Sequence, residues 1–145
     1  MKKVWFIALL FCFGNVFGQQ PKLHLDHIAL LVKDLETSVH FYQEVLHLEE
    51  IFDATEQEHI RWFSMGGSAQ LHLIQDKNQE ISHVKGFHFA MNTADLDGFI
   101  KELKAQNIYF ENWQGVAGTT NLRPDNVRQV YLQDPDGYWI EVNGK

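Results

Sequence analysis

His27-Ile28-Ala29-Leu30-Leu31-Val32-Lys33-Asp34-Leu35 returns in outline as His88-Phe89-Ala90-Met91-Asn92-Thr93-Ala94-Asp95-Leu96, with His, Ala, Asp and Leu matched at a single offset of 61 residues. A fixed offset carrying the same four letters is the mark of an internal repeat. Each copy opens with β-rich sequence and runs into a helical pattern, in which Leu35, Val39, Tyr42 and Leu46 fall near one face of the first helix. Working outward, strands are predicted near 23–32, 49–54, 60–65 and 69–75 around a helix at 36–46. The series then repeats as strands near 86–92, 107–111, 128–133 and 138–143 around a helix at 96–105. The copies also close alike, Ala69-Gln70-Leu71-His72-Leu73-Ile74 beside Tyr138-Trp139-Ile140-Glu141-Val142-Asn143, which sets His72 opposite Glu141.

Side chains alternate across a strand, so parity assigns faces. In the first strand Ile28, Leu30 and Val32 share the face expected to pack under the helix, and Leu25, His27, Ala29 and Leu31 share the other. In its counterpart, Phe87, Phe89 and Met91 oppose His88, Ala90 and Asn92. By the same rule Leu71 and Leu73 oppose Gln70 and His72, while Ile140 and Val142 oppose Trp139 and Glu141. Two repeats related by a pseudo-twofold would gather His27, His72, His88 and Glu141 on one concave surface. A single histidine on a strand is ordinarily a surface or satisfied core residue. Shared register within a repeat points instead to ligation, and three imidazoles with one carboxylate suit a borderline divalent ion such as Zn, Fe, Co or Ni. His24, His40, His47, His59 and His83 lack that register and are expected to be solvated. Parity also brings Gln129, Tyr131 and Trp139 toward the same surface as candidate substrate contacts. For Arg61 and Arg123 a surface salt bridge is expected, with anion binding as the alternative.

The chain has 145 residues, 45% hydrophobic and 21% charged, enough for one cored domain. Lys2 and Lys3 precede an apolar run from Val4 to Phe13 and the sequence Val16-Phe17-Gly18, the pattern of a secretory signal peptide over residues 1–18. That apolar run is short of the about 20 residues that span a bilayer. The expected organisation is a leader at 1–18 and one domain at 19–145, its modules at about 23–76 and 85–144, exported to the periplasm or medium. Removing the leader takes away Lys2, Lys3 and the single cysteine, leaving ten basic against nineteen acidic side chains. An acidic surface argues against nucleic acid or an anionic membrane as partner, and a chain without cysteine has no disulfide or thiol chemistry. The segment from Trp113 to Asn126 has no counterpart in the first copy and reads either as a rim of the site or as a disordered excursion.

Leu25-Asp26-His27 through Asp34-Leu35-Glu36-Thr37-Ser38, then Phe41-Tyr42, and above all Asp134-Pro135-Asp136-Gly137-Tyr138-Trp139-Ile140-Glu141 resemble the glyoxalase and vicinal oxygen chelate superfamily over residues 23–143. The resemblance implies an α+β fold of two βαβββ modules forming a curved mixed-sheet cleft. It also implies a divalent ion (Zn, Fe, Ni, Co or Mn) held by His27, His72, His88 and Glu141. Glyoxalase I has a two-His, two-Glu set, from which His72 departs. With two coordination positions open, such an ion polarises a substrate bearing vicinal oxygens and stabilises an enediolate. Glu141 serves as general base or as permanent ligand. The expected function is a metal-dependent lyase or isomerase acting on a small molecule, with a homodimer possible. The alternatives are a non-haem iron dioxygenase using His27, His88 and Glu141, and an antibiotic-type binding module without chemistry.

Overall fold

The computed structural model describes residues 22–80 and 83–144; the leader expected at 1–18 lies outside the described residues. Elements run in the order β1 (His27–Val32), α1 (Leu35–Glu44), β2 (Glu50–Ile51), β3 (Ile60–Ser64), β4 (Gln70–Gln75), β5 (His88–Thr93), α2 (Leu96–Ala105), β6 (Phe110–Glu111), β7 (Asn121–Leu122), β8 (Arg128–Gln133) and β9 (Trp139–Gly144). They form two mixed sheets with matching strand order, β1-β4-β3-β2 and β5-β9-β8-β6, with β7 added beside β8. In each sheet the first and last long strands are parallel neighbours and the remaining pairs antiparallel.

The repeated letters now have physical reasons. Asp34 and Asp95 are the N-caps of α1 and α2, and each carboxylate accepts the backbone N–H three residues on, Thr37 and Gly98, both at 2.8 Å. Those bonds satisfy donors that the first helical turn leaves open. Leu35 and Leu96 follow as buried first residues that pin the helices to their sheets. The face assignment also holds in the first module: Leu30, Val32, Leu71 and Leu73 are buried, with Phe63 from β3 beneath α1. Ile140, Val142, Val130 and Leu132 do the same work beneath α2. Phe87 is the exception. It precedes β5 and is 76% exposed.

A turn from the second module fastens the two together. Between β8 and β9, the Asp134 carboxylate accepts the backbone N–H of Asp136 and Tyr138, and Gly137 takes φ +91, which favours a residue without Cβ. The turn then reaches into the first module. Tyr42 donates its hydroxyl to Asp134 at 2.8 Å, while Ser38 and the backbone N–H of Lys33 donate to Asp136 at 3.0 and 2.8 Å. Gln79 bridges Asp136 to the carbonyl of Leu31. Phe41-Tyr42 and Asp134-Pro135-Asp136-Gly137, distant in sequence, are thus two halves of one clasp.

The insertion is ordered by its own bonds. Asn121 accepts from the Trp113 N–H, Asn112 from Val116, and Glu111 forms a bridge with Ala117. It contributes β7, so the expectation of a disordered excursion gives way to a built wall. Its two-residue strand carries no alternation that the sequence could display. Among the described residues no helix is long and apolar enough to cross a membrane.

Candidate metal centre

Strand register sets the inner faces of both sheets. In the first sheet His72 on β4 lies opposite Ala29 on β1 and Trp62 on β3, and the small Ala29 side chain leaves room above it. His27 and His72 stack with ring centroids 4.4 Å apart, and Trp62 stacks on the other side of His72 at 4.1 Å. The Asp26 carboxylate accepts from His27 Nδ1 at 2.7 Å, so that nitrogen carries the proton and Nε2 is left as the lone pair. A carboxylate behind an imidazole is the usual support of a metal-binding histidine. His72 Nε2 lies 2.9 Å from Gln70 Oε1. Burial, followed by the nearby His27, holds the His72 ring below the ordinary histidine value, which favours the neutral form that a metal requires.

In the second sheet Glu141 on β9 lies between Ala90 on β5 and Tyr131 on β8. His88 Nδ1 donates to the carbonyl of Lys85 at 2.7 Å. A carbonyl only accepts, so the proton resides on Nδ1 and the Nε2 lone pair faces Glu141 Oε2 at 3.2 Å. Two acceptors at that distance call for a cation or an added proton between them.

Glu141, 6% exposed, is oriented from three sides. Asn143 donates to Oε1 at 2.7 Å, while Tyr131 and Gln129 donate to Oε2, the latter at 3.2 Å. Burial first, then the bond to Glu141, pushes the Tyr131 phenol well above its ordinary value, so it remains a donor. Lys85 pairs with Glu111, which it draws below the usual carboxylate range, and its ammonium lies 4.8 Å from the centre of the Trp139 ring.

The expected ligands therefore fall into two pairs, His27 with His72 and His88 with Glu141, on different sheets. Among the described residues no group of three or more His, Cys, Asp or Glu stands within metal-binding reach inside one chain. The donors in each pair fit a borderline divalent ion, because each pair offers a lone pair fixed by a partner behind it. Gln129 and Tyr131 meet at Glu141 as parity suggested. Trp139 lines an apolar groove of 670 Å³ beside β1, with Ile28, Leu30, Phe87 and the candidate ligand His88.

Asp26, Lys85 and Asn143 were not anticipated. Asn143 had the parity of Glu141 as a usable signal, and Asp26 had its adjacency to His27. Arg123 does pair with Asp125 at 2.8 Å, yet it also reaches Asn143 at 3.3 Å and lies 3.7 Å from Glu141, at the rim of a 490 Å³ cavity walled by Trp113 and Asn121. Arg61 makes the expected surface pairs with Glu50 and Glu36. His83 is not solvated as expected. Its ring packs on Tyr138 at 3.9 Å with Nε2 buried.

Residues 24–142 match the model of the Glyoxalase/Bleomycin resistance protein/Dioxygenase superfamily. Among relatives, the uncharacterized protein YwbC of Bacillus subtilis is 28% identical over 123 residues, covering 81% of this chain and 94% of that one. Metallothiol transferase FosB of Staphylococcus epidermidis is 27% identical over 126 residues, covering 82% of this chain and 80% of that one. The crystal structure of lactoylglutathione lyase from Agrobacterium tumefaciens superposes with a TM-score of 0.64 at 23% identity, covering 86% and 96% of the two chains.

Proposed function

The chain belongs to the glyoxalase, bleomycin resistance and dioxygenase superfamily, and on that footing we propose that it is a metal-dependent lyase or isomerase acting on a small substrate with vicinal oxygens. The observation that carries this reading is the lone pair of His88 Nε2 turned on Glu141 Oε2, with the ring's proton committed to Lys85. We assign the ion to His27, His72, His88 and Glu141, the two pairs coming from two copies of the chain. Among the described residues β1 and β5 each end their sheet, with Leu31 of β1 capped by Tyr138 and Gln79, and exposed Leu25 and Phe87 beside them offer apolar surface to a second chain.

Once bound, the ion polarises a carbonyl and makes the neighbouring C–H more acidic. Glu141 takes and returns that proton. Its three donors hold the carboxylate in place, and the carbon it serves is one already acidified in this way. Tyr131, held protonated, keeps the carboxylate aimed.

One observation favours a second reading. If His72 serves only as the ring stacked between His27 and Trp62, the centre has three ligands, His27, His88 and Glu141, the set used by non-haem iron oxygenases. A three-ligand ion also leaves more room for a transfer reaction of the kind the name of FosB describes for that relative. Metal content of the purified chain, beside His72→Ala and Glu141→Ala, separates these readings. Stoichiometric metal weakened in both variants supports the lyase or isomerase, and metal that survives loss of His72 supports the three-ligand chemistry. A parent that takes up no divalent ion after reconstitution overturns both. Export through the 1–18 leader is proposed with them, and is tested by the N-terminus of protein recovered outside the cytoplasm.

A further inference from the structure

Gln129 is 3% exposed and lies on the floor of the polar cavity beneath Arg123 and Trp113. Its amide orientation is fixed by what its nitrogen touches. Nε2 meets the Glu141 carboxylate at 3.2 Å and the Tyr131 hydroxyl, contacts that a carbonyl oxygen would make repulsive at the carboxylate. The carbonyl Oε1 is therefore turned the other way, buried, and has no donor among the described residues. Buried acceptors are rarely left so, and the side chain that carries this one lines the polar cavity.

Charge narrows the ligand further. Around the cavity Arg123 faces Asp125 and Glu141, while Lys85 and Glu111 offset each other. With Asp26 behind His27 counted, the local sum is two negative charges, which a divalent ion would cancel, and Arg123 at the rim stands ready for an anionic group of the ligand. This step rests on the metal reading; the orphaned carbonyl does not.

We infer that the cavity recognises a small polyhydroxy acid. Its carboxylate and α-hydroxyl are the vicinal oxygens, with the carboxylate beside Arg123, and a further hydroxyl donates to Gln129 Oε1. Gln129 is thus a specificity residue that reads an O–H beyond the chelating pair.

Lactate and glycerate form the test pair, since both present an α-hydroxy carboxylate and only glycerate adds a second hydroxyl. Titrations of the zinc-loaded protein followed by amide NMR should show glycerate binding about tenfold more tightly, the worth of one well-placed hydrogen bond to a buried acceptor. At saturating zinc, Gln129→Leu should bring the affinity ratio of glycerate to lactate from about ten to about one, whatever common loss follows from removing a donor to Glu141. Gln129→Met reads the same ratio if the leucine variant does not fold. Equal affinities in the parent, a preference that survives both variants, or no binding of either acid overturns the inference. If the parent holds no zinc, the same pair is titrated on the metal-free chain. A Gln129-dependent preference there overturns the metal reading alone, and its absence overturns the specificity residue as well.

Discussion

The two modules share a strand order and differ on one face. Outward, both are alike: Leu71 and Leu73 beneath α1 match Ile140 and Val142 beneath α2, and an aspartate caps each helix. Inward, the first sheet offers Leu31, Ile60, Ile74 and Trp62 around two stacked imidazoles, whereas the second offers Gln129, Tyr131, Glu141 and Asn143 wired into one hydrogen-bonded set. A face that packs against a helix is constrained by volume and apolarity, so the copies keep it. The inner face is constrained by chemistry, and there they have parted.

If the outer faces are equivalent, truncating either should cost alike. Leu71→Ala and Ile140→Ala, both fully buried, are expected to lose about 3 kcal/mol each in denaturant unfolding. A cost confined to one module would show that the core lies mainly there. The inner faces should respond unequally. Tyr131→Phe removes a donor to Glu141 and is expected to weaken metal binding by about 10- to 100-fold, as loss of a ligand's partner does. Trp62→Phe keeps an aromatic ring beside His72 and should change affinity little in the same competition assay against a chelator. Similar losses would erase the contrast between the faces.

Much of this contrast was legible in the sequence, for a reason that also sets its limit. Period-two alternation and the matched His, Ala, Asp and Leu declared β1, α1, β5, α2 and the closing strands, because those letters serve local geometry. Strand β7, two residues long, shows no alternation and owes its existence to β8, with which it pairs, while the strand expected at 49–54 is reduced to the two-residue β2. The clasp of Tyr42 on Asp134 joins residues 92 apart, and no local pattern announces it. The polar connection around His83 predicts a solvated ring, yet Tyr138, distant in sequence, covers it. Parity predicts one concave surface for His27, His72, His88 and Glu141, whereas within one chain they fall into two pairs on two sheets, since parity fixes faces and leaves open which faces meet.

Smaller effects sharpen the same comparison. Asp34→Ala and Asp95→Ala remove equivalent caps, and each is expected to lower the unfolding temperature by a similar, modest amount. A large disparity in thermal unfolding would mean that one helix depends far more on its sheet than the other. The clasp should show in the pH dependence. Burial holds Asp134 above its ordinary 3.8 despite the donors around it. Between that value and the raised one the folded chain retains a proton that the unfolded chain has lost. The contribution of this group is therefore full below 3.8, declines as pH rises through the window, and is level above it. Asp134→Asn should flatten that decline when stability is followed from acid to neutral pH.

The central claim is that two unlike inner faces, one from each of two copies, complete a single metal centre. Mixing tests it most directly. A chain carrying His27→Ala and His72→Ala is unfolded and refolded together with one carrying His88→Ala and Glu141→Ala, and bound metal is measured after removal of excess ion. The account predicts that neither variant alone holds metal and that the mixture does, because each mixed dimer restores one intact centre. A mixture as metal-free as its components, beside a stoichiometrically loaded parent, would contradict it and return the whole centre to one chain.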